Sequence, residues 1–599
     1  MAEQGVSVTC EGGLDLVGTT HTLFRTPGVA TTLENYESSI HGGYRRINGF
    51  SKFGSSTPDT TSTNIEGIFR YAKGVVACQG SNIYYSADGN TWTQVNKDTY
   101  QNKTGTVSVS AGSPTVTGSG TSFTTEFSVG DDIKINNEIF NVLSISSNTS
   151  LTTDGNFAAT ASSQNIKKNG ADASQLASGS TIARTSQSDC KFALYEGESQ
   201  YGELFIVDGN NQPAYLKIDI ASGTHTYFFK EVQRSAPEKS KFATIFAERL
   251  VVAGDADNPQ VLSYSTRLKP EDFTGSSAGT IDVGDKIKAI KPFRNKLIVF
   301  CESSIFQVSG LDGTVAVSGV TKNIGCVSGN TVQEIGGDLI FLAPDGLRTI
   351  AGTARIDDIE LSSISRKILP VFRDEVMPFL SSIRFASMVV REKSQYRLFY
   401  FRSGNANNIQ GGVIGTFKIS STGAGVYEWS TTKGIPAKIA HSGVDENGSE
   451  VLYHSDESGY VFNHDTGNSF DGGNIAATYK TPDMDYGDAG IRKTLYYIKT
   501  SIRSEGTNNN LKLLTRYDFE SGDVTQPDEI ALGALQTPAK FGSGSTFGTT
   551  IFGGTLFPQQ KTTLTGSGFT NNFRVRSTGT GSPYTVSGFY VDFIPAGRT

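Results

Sequence analysis

The feature that most constrains this chain is a strand–turn–strand unit that keeps returning. Val75-Val76-Ala77-Cys78 runs into the turn Gln79-Gly80-Ser81-Asn82 and leaves through Ile83-Tyr84-Tyr85-Ser86. The unit recurs at residues 204–207, followed by Asp208-Gly209-Asn210, and at 249–254, leading through Asp255 and Asn258 to 261–265. It recurs again at 296–301, leading to 305–308, and at 338–342, where Pro344-Asp345-Gly346 turns into 347–350. Further copies lie near 396–400 and at 451–454, where Ser458-Gly459 turns into Tyr460-Val461-Phe462. β-Branched and aromatic runs joined by Asp-Gly, Asn or Ser turns are hairpin chemistry. Leu250 and Leu297 are 47 residues apart, and Leu297 and Leu339 are 42 apart. A four-stranded propeller blade takes roughly 40–50 residues. Blades pack on both faces, so their strands read as apolar runs rather than strict alternation. About six or seven such units fit between residues 65 and 470. The expectation is a β-propeller over 61–475, with a string of β-sandwiches as the rival reading.

Three stretches break the period. Residues 104–166 are poor in charge and rich in Ser, Thr and Gly. Ile133 and Ile135 alternate there with polar neighbours, and Asn136-Asn137 supplies a turn. We expect a small β domain inserted into the first or second blade, which loop-closure entropy tolerates because it grows slowly with length. Ile364, Ile368, Phe372, Val376 and Leu380 recur every four residues after Ser362-Ser363 and predict one helix, kinked or split at Pro370. Beyond about 475, apolar residues alternate with charged ones, as in Phe573 and Val575 flanked by Arg574 and Arg576. That pattern predicts a C-terminal antiparallel β-sandwich over 476–599. Residues 1–60 are expected to be a strand segment that joins the propeller or a platform. The fold class expected is therefore all-β: a central propeller, an inserted small β domain and a C-terminal sandwich.

Composition fits a rigid, turn-rich particle. Glycine makes up 67 of the 599 residues, and aromatics 10%. A disordered chain would be short of aromatics. The formal charge of −7 excludes a globally basic nucleic-acid binder. No apolar run reaches the roughly 18–20 residues of a membrane helix, and the first residues lack the pattern of a secretory signal. Stable membrane insertion is not expected, and synthesis in a cytosol is.

Sites of chemistry are sparse. Cys10, Cys78, Cys190, Cys301 and Cys326 are scattered and odd in number, which reads as buried small apolar residues. The six histidines lack zinc-site spacing. Asp483, Asp485 and Asp488 suggest calcium, but an EF-hand count from Asp483 puts Asp488 where Gly belongs and Thr494 where Glu belongs. That loop, like Asp255-Ala256-Asp257-Asn258, reads as solvated. No nucleophile elbow, phosphate loop or dinucleotide fingerprint is present. No catalytic, cofactor or metal residue is assigned, no cofactor is expected, and the chain is expected not to be an enzyme. Arg45-Arg46 should face opposite ways on a strand and make ion pairs between elements rather than a phosphate site. Ser86-Ala87-Asp88-Gly89-Asn90-Thr91-Trp92 resembles a shortened Asp-box, a turn motif of sialidase-like propellers. In that family the box is structural, so it supports a propeller and says little of activity.

A second resemblance lies in Pro27-Gly28-Val29-Ala30, Leu33-Glu34-Asn35-Tyr36-Glu37 and Gly42-Gly43-Tyr44-Arg45-Arg46-Ile47-Asn48-Gly49-Phe50. Together with residues 289–300 and 304–308, Ala343-Pro344-Asp345-Gly346-Leu347 and the closing Gly588-Phe589-Tyr590-Val591-Asp592-Phe593, this run resembles the tail nozzle of short-tailed bacteriophages. That family is also called tail tubular protein B, or packaged-DNA stabilisation hub. The likeness covers roughly 20–50, 240–370 and 476–599, and leaves 104–166 unexplained. It implies a homo-oligomer, a hexameric ring below the portal and head–tail adaptor complex, in the tail of the virion. It implies a channel for non-specific passage of double-stranded DNA, closed before ejection, and docking surfaces for tail fibres or spikes. A mildly acidic chain suits such a conduit, because phosphate neutralisation would make the lumen bind what it must pass. The insertion 104–166 or the Gly-rich loops 541–554 are the expected docking tips. A propeller-type tail adhesin that binds or hydrolyses glycans is the alternative.

Overall fold

The structure is a computed structural model. It describes residues 3–62, 64–95, 100–136, 138–169, 188–197, 199–221, 223–232, 236–351, 363–402, 410–419, 425–506, 510–532 and 559–596. The loops 541–554 lie outside the described residues. The chain divides into two compact units, Ser56–Gly329, and Met1–Ser55 with Asn330–Thr599. The recurrent sheets in both are the blades of a β-propeller.

In Ser56–Gly329 the recurrent unit is a four-stranded antiparallel meander, built four times. The first blade is Ile65–Tyr71, Gly74–Gln79, Asn82–Ser86 and Thr93–Val95. The second is Lys191–Tyr195, Glu203–Val207, Ala214–Ala221 and Thr224–Glu231. The third runs from Phe242–Phe246 to Gly279–Asp282, and the fourth from Ile287–Phe293 to Ala316–Thr321. The strands are apolar because each sheet packs on both faces. Val76, Cys78 and Tyr85 of the first blade meet Leu204, Leu216 and Phe229 of the second. Phe205 and Val207 meet Leu250 and Val252, and Val251 and Leu262 meet Leu297 and Val299. The core is thus a series of apolar layers between successive blades.

The insertion is real and slightly wider than expected. It lies between Thr93–Val95 and Lys191–Tyr195, and Tyr100–Asn102 pairs with Lys167–Asn169 at its neck. Its eight strands surround a core of their own, with Val107, Val116, Phe123, Ile133, Phe140, Leu151 and Phe157 buried. Ile133 and Ile135 point inward as their alternation predicts, and Asn136 turns the chain at φ 47°.

The other unit carries the three-stranded sheet Gln333–Ile335, Asp338–Ala343 and Gly346–Thr349. It also carries the meander Arg384–Val390, Gln395–Phe401, Gln410–Ile419 and Gly425–Thr432. A last sheet joins Ile439–Val444, Glu450–Ser455 and Val461–His464, and its fourth strand is Phe50–Lys52, far away in sequence.

The β-sandwich is present, but 476–599 does not build it alone. Gln4–Thr9, Tyr36–Ser38 and Tyr44–Arg46 join Lys493–Ser504, Gln559–Thr563 and Tyr584–Pro595 in one sheet. Thr32–Glu34 joins Ile475–Lys480, Asn571–Gly579 and Leu511–Tyr517 in the other. The two sheets meet through rings: Tyr479 stacks on Phe589 at 6.1 Å, and Phe573 lies 5.8 Å from Phe589. Residues 1–60 are thus mostly sandwich strands, with one blade strand at their end. The missing edges had to come from the N-terminal segment, because strand pairing is indifferent to sequence distance.

The predicted helix is not an α-helix. Arg366–Ile368 and Met377–Phe379 are 3-10 turns, and Val371–Val376 between them is wound as a π-helix. Ile368, Phe372 and Val376 are buried on one face, whereas Leu380 is exposed. A strict spacing of four exceeds the 3.6 residues of an α-turn, and a wider winding keeps those residues in register. Pro370 caps the π segment, so the helical stretch is split there.

Candidate functional site

The densest concentration of charge in the described residues grows from the N-terminal run. Asn35 sits at φ 57°, which lets its amide face inward. Asn35 Nδ2 donates to Ala476 O at 2.7 Å, and Oδ1 accepts from Lys433 N at 2.9 Å. Two residues on, the buried Glu37 carboxylate receives three cations: Arg45 Nη1 at 2.8 Å, Lys393 Nζ at 2.9 Å and Arg397 Nη2 at 2.9 Å. Lys393 and Arg397 also hold Asp465, at 2.7 and 3.1 Å. Arg45 forks outward onto Glu505 through Nε at 2.6 Å and Nη2 at 2.7 Å. Five stretches of one unit are joined this way: the strands at 36–38 and 44–46, the hairpin at 393–397, the turn at 465 and the strand end at 505.

Electrostatics fixes the charge of Asp465 and the tautomers of the histidines beside it. Burial alone would raise the Asp465 pKa, but Arg397 and Lys393 outweigh it and hold the carboxyl well below the usual range. Arg397 Nη1 lies 3.0 Å from His464 Nε2. A guanidinium only donates, so Nε2 accepts and the His464 proton sits on Nδ1. That Nδ1 lies 3.2 Å from His454 Nδ1, which must accept in turn. The His454 proton is left on Nε2, which has no hydrogen-bond partner among the described residues, and Phe50 meets this imidazole edge to face at 4.8 Å. Burial pushes His454 down to about 3, and burial, His454 and Arg397 push His464 well below its ordinary value. Both rings are neutral at neutral pH.

A cleft of about 320 Å³ lies beside this cluster, lined by Ser51, Glu392, Glu450, Asn463, His464 and Asp465. Glu450, His464 and Asp465 on its wall are already engaged. Glu450 accepts from the backbone N–H of Arg391 at 2.7 Å and of Glu392 at 3.2 Å. The cluster holds segments together; it pairs no nucleophile with a free base.

The residues singled out from sequence fall into place one by one. In the Asp-box-like turn, Ser86 Oγ accepts from Gly89 N at 2.8 Å, and Asp88 Oδ1 accepts from Asn90 N at 2.9 Å. Trp92 Nε1 donates to Ser56 O at 3.2 Å. Arg45 makes the expected ion pairs. Arg46 does not: its buried guanidinium donates to the carbonyls of Gly581, Gly579 and Asn468. Asp483 accepts from Asn572 Nδ2, while Asp485 and Asp488 cap the backbone of Gly487 and Gly490. Asp255 caps Asp257 N, and Asp257 pairs with Lys239. Among the described residues no three His, Cys, Asp or Glu side chains gather as metal ligands. All five cysteines are buried and none is in a disulfide, and burial pushes the Cys10 and Cys301 thiols up to about 12.

Sequence reasoning missed the Glu37–Arg397–Asp465 cluster and the histidine pair. One signal was available: Gln395–Phe401 is apolar apart from Gln395 and Arg397, and a charge inside such a strand needs a buried partner.

The fold defines a β-propeller protein. No protein-family model matches the chain, and no curated protein matches it. Among solved structures it is similar to the AfRom2 CNH domain, with 11% identity, 44% of this chain and 92% of that one covered, and a TM-score of 0.25. It is similar to Kluyveromyces lactis Hsv2, with 7% identity, coverage of 61% and 98%, and a TM-score of 0.24. It is also similar to the extracellular domain of a putative hybrid two-component system of B. thetaiotaomicron, with 9% identity, coverage of 84% and 77%, and a TM-score of 0.25. At such scores none of these bears on the function of this chain.

Proposed function

We propose that this chain is a structural protein of a bacteriophage tail, a nozzle ring below the portal and adaptor that retains packaged DNA and conducts it on ejection. The observation that carries the reading is the work done by the run that resembles that family. Asn35, Glu37, Tyr44, Arg45 and Arg46 are joints between distant strands. Tyr44 Oη accepts from Gly13 N at 3.0 Å and donates to Gly28 O at 3.2 Å. Gly43 lies at φ 80°, and a Cβ there would collide with Val586 O. A Cβ on Gly49 would collide with Ser469 O. Residues of this kind specify an architecture, and a likeness built on them is a likeness of architecture. A stiff joint of buried ion pairs also suits a part that must hold its shape under load.

The test is the mass and symmetry of the purified protein, alone and with a phage portal–adaptor complex, by light scattering and electron-microscope class averages. A six-fold ring with a central pore, alone or only on the complex, is expected. A monomer or trimer indifferent to the complex would overturn the reading and favour a propeller-type tail adhesin.

A further inference from the structure

The outer face of the sandwich sheet that contains Tyr584–Pro595 carries a small, chemically mixed hollow. A cleft of about 450 Å³ is lined there by Ser7, Thr9, Lys499, Ser501, Ser587, Gly588 and Tyr590. Strand register places Ser7, Tyr590, Lys499 and Lys561 in one row across four strands. The next row on the same face holds Asp592 opposite Tyr497. Each lysine lies over a ring: Lys499 Nζ is 4.8 Å from the Tyr590 centroid, and Lys561 Nζ is 3.7 Å from that of Tyr497. Gly588 has no side chain to fill the hollow, and a Cβ there would meet Val8 O at 2.6 Å. Tyr590 stands exposed at one side.

Two observations point to a ligand. Ser587 Oγ is buried and makes no hydrogen bond among the described residues. A buried hydroxyl without a partner is uncommon in a native protein, and a bound polar ligand is one way to satisfy it. Lys499 has no carboxylate within ion-pair distance among the described residues, although the chain is acidic overall.

We propose that this hollow binds an acidic saccharide, a sugar unit bearing a carboxylate within a surface polysaccharide. The aromatic face of Tyr590 is the platform for the apolar face of a pyranose ring. The ammonium of Lys499 takes the carboxylate. Ser7, Thr9, Ser501 and Ser587 offer hydroxyls that both donate and accept, which matches the sugar's own hydroxyls. Asp592 is an acceptor for sugar O–H groups, and an aromatic face surrounded by hydroxyls suits a sugar acid better than a bare phosphate. The proposal does not rest on the tail reading, and a conduit protein could carry such a site on its outer surface as readily as an adhesin.

The test is titration calorimetry of the full chain with oligogalacturonate, with a neutral dextran oligomer and with inorganic phosphate. Oligogalacturonate should bind, and the other two should not. Lys499→Met should weaken binding at least tenfold while leaving the melting temperature unchanged, and Ser587→Ala should weaken it several-fold. Tyr590→Ala serves as a second probe of the platform. No binding of oligogalacturonate, equal binding of phosphate, or binding indifferent to Lys499→Met and Tyr590→Ala would each overturn the proposal.

Discussion

The two units solve the same problem with different chemistry. In Ser56–Gly329, each apolar layer joins blades that are neighbours in sequence, such as the one linking Phe205 and Val207 to Leu250 and Val252. Its buried cation, Arg249, donates to carbonyls of Ser265, Ser277 and Leu311 and pairs with Asp312 at 3.5 Å. In the other unit polar ties between distant stretches are added to the apolar core. Glu37 reaches Arg397 across 360 residues, Asn35 reaches Ala476 across 441, and Tyr36 reaches Tyr584 across 548. The apolar layers are non-directional and tolerate small shifts. The ion cluster tolerates none, because a buried charge without its partner is costly.

The sharpest way to break this comparison is at Glu37. Glu37→Ala leaves Arg397 buried with one carboxylate in place of two, and the expected loss is about 3–5 kcal/mol. Hydrogen–deuterium exchange should show the loss spreading over 36–46, 393–397 and 461–465, with protection in the blades of Ser56–Gly329 unchanged. A loss below about 1 kcal/mol would mean that the cluster is no keystone.

The matching change in the apolar unit is Leu297→Ala. Leu297 is fully buried between the third and fourth blades, and such truncations cost about 3 kcal/mol. The exchange signature should here be confined to those two blades. A signature that spread through all four would show the layers to be one cooperative block and dissolve the contrast with the polar unit.

Acid should act mainly on the unit with the histidine pair. The folded-state pKa of His454, about 3, lies below its ordinary value near 6.5. Above pH 6.5 the ring is neutral in both states and contributes nothing to pH dependence. Below that, the unfolded chain takes up a proton that the native chain refuses, so stability falls as pH drops towards 3 and levels off beneath it. At pH 5 the loss from this group is about 2 kcal/mol relative to pH 7. Urea titrations of the wild type and of His454→Gln at both pH values should differ by that amount in their pH dependence. Equal slopes would mean that His454 titrates normally.

The same division governs what the sequence could reveal. The blades were legible because their signal is local: a run such as Leu297–Phe300, a turn, and a repeat of 42 to 47 residues. The insertion was legible from the alternation of Ile133 and Ile135. The sandwich was half legible, since alternation around Phe573 marked its strands but nothing local said that 4–9, 32–34, 36–38 and 44–46 supply the rest. The cluster at Glu37 was barely legible, because its charges come from stretches that meet only in three dimensions. The period-four run at 364–380 misled, because spacing alone does not separate an α-turn from a wider one. The resemblance-bearing run could be recognised as a pattern, but its bonding could not.

The smallest effect tests whether a local motif in the apolar unit behaves as locally as it reads. In the turn at 86–92, Ser86 Oγ is the acceptor for Gly89 N, and Ser86 itself is buried. Ser86→Ala removes that acceptor and leaves the N–H to find water, which costs about 1 kcal/mol. Only the first blade should lose protection, in the stretch from Asn82 to Val95. Were the blades of Ser56–Gly329 coupled as tightly as the polar joint of the other unit, this small change would register in the second blade as well, through the layer where Tyr85 meets Tyr227 at 5.8 Å. Silence there, with a measurable loss in the first blade, would mark the apolar layers as surfaces along which strain is not passed on.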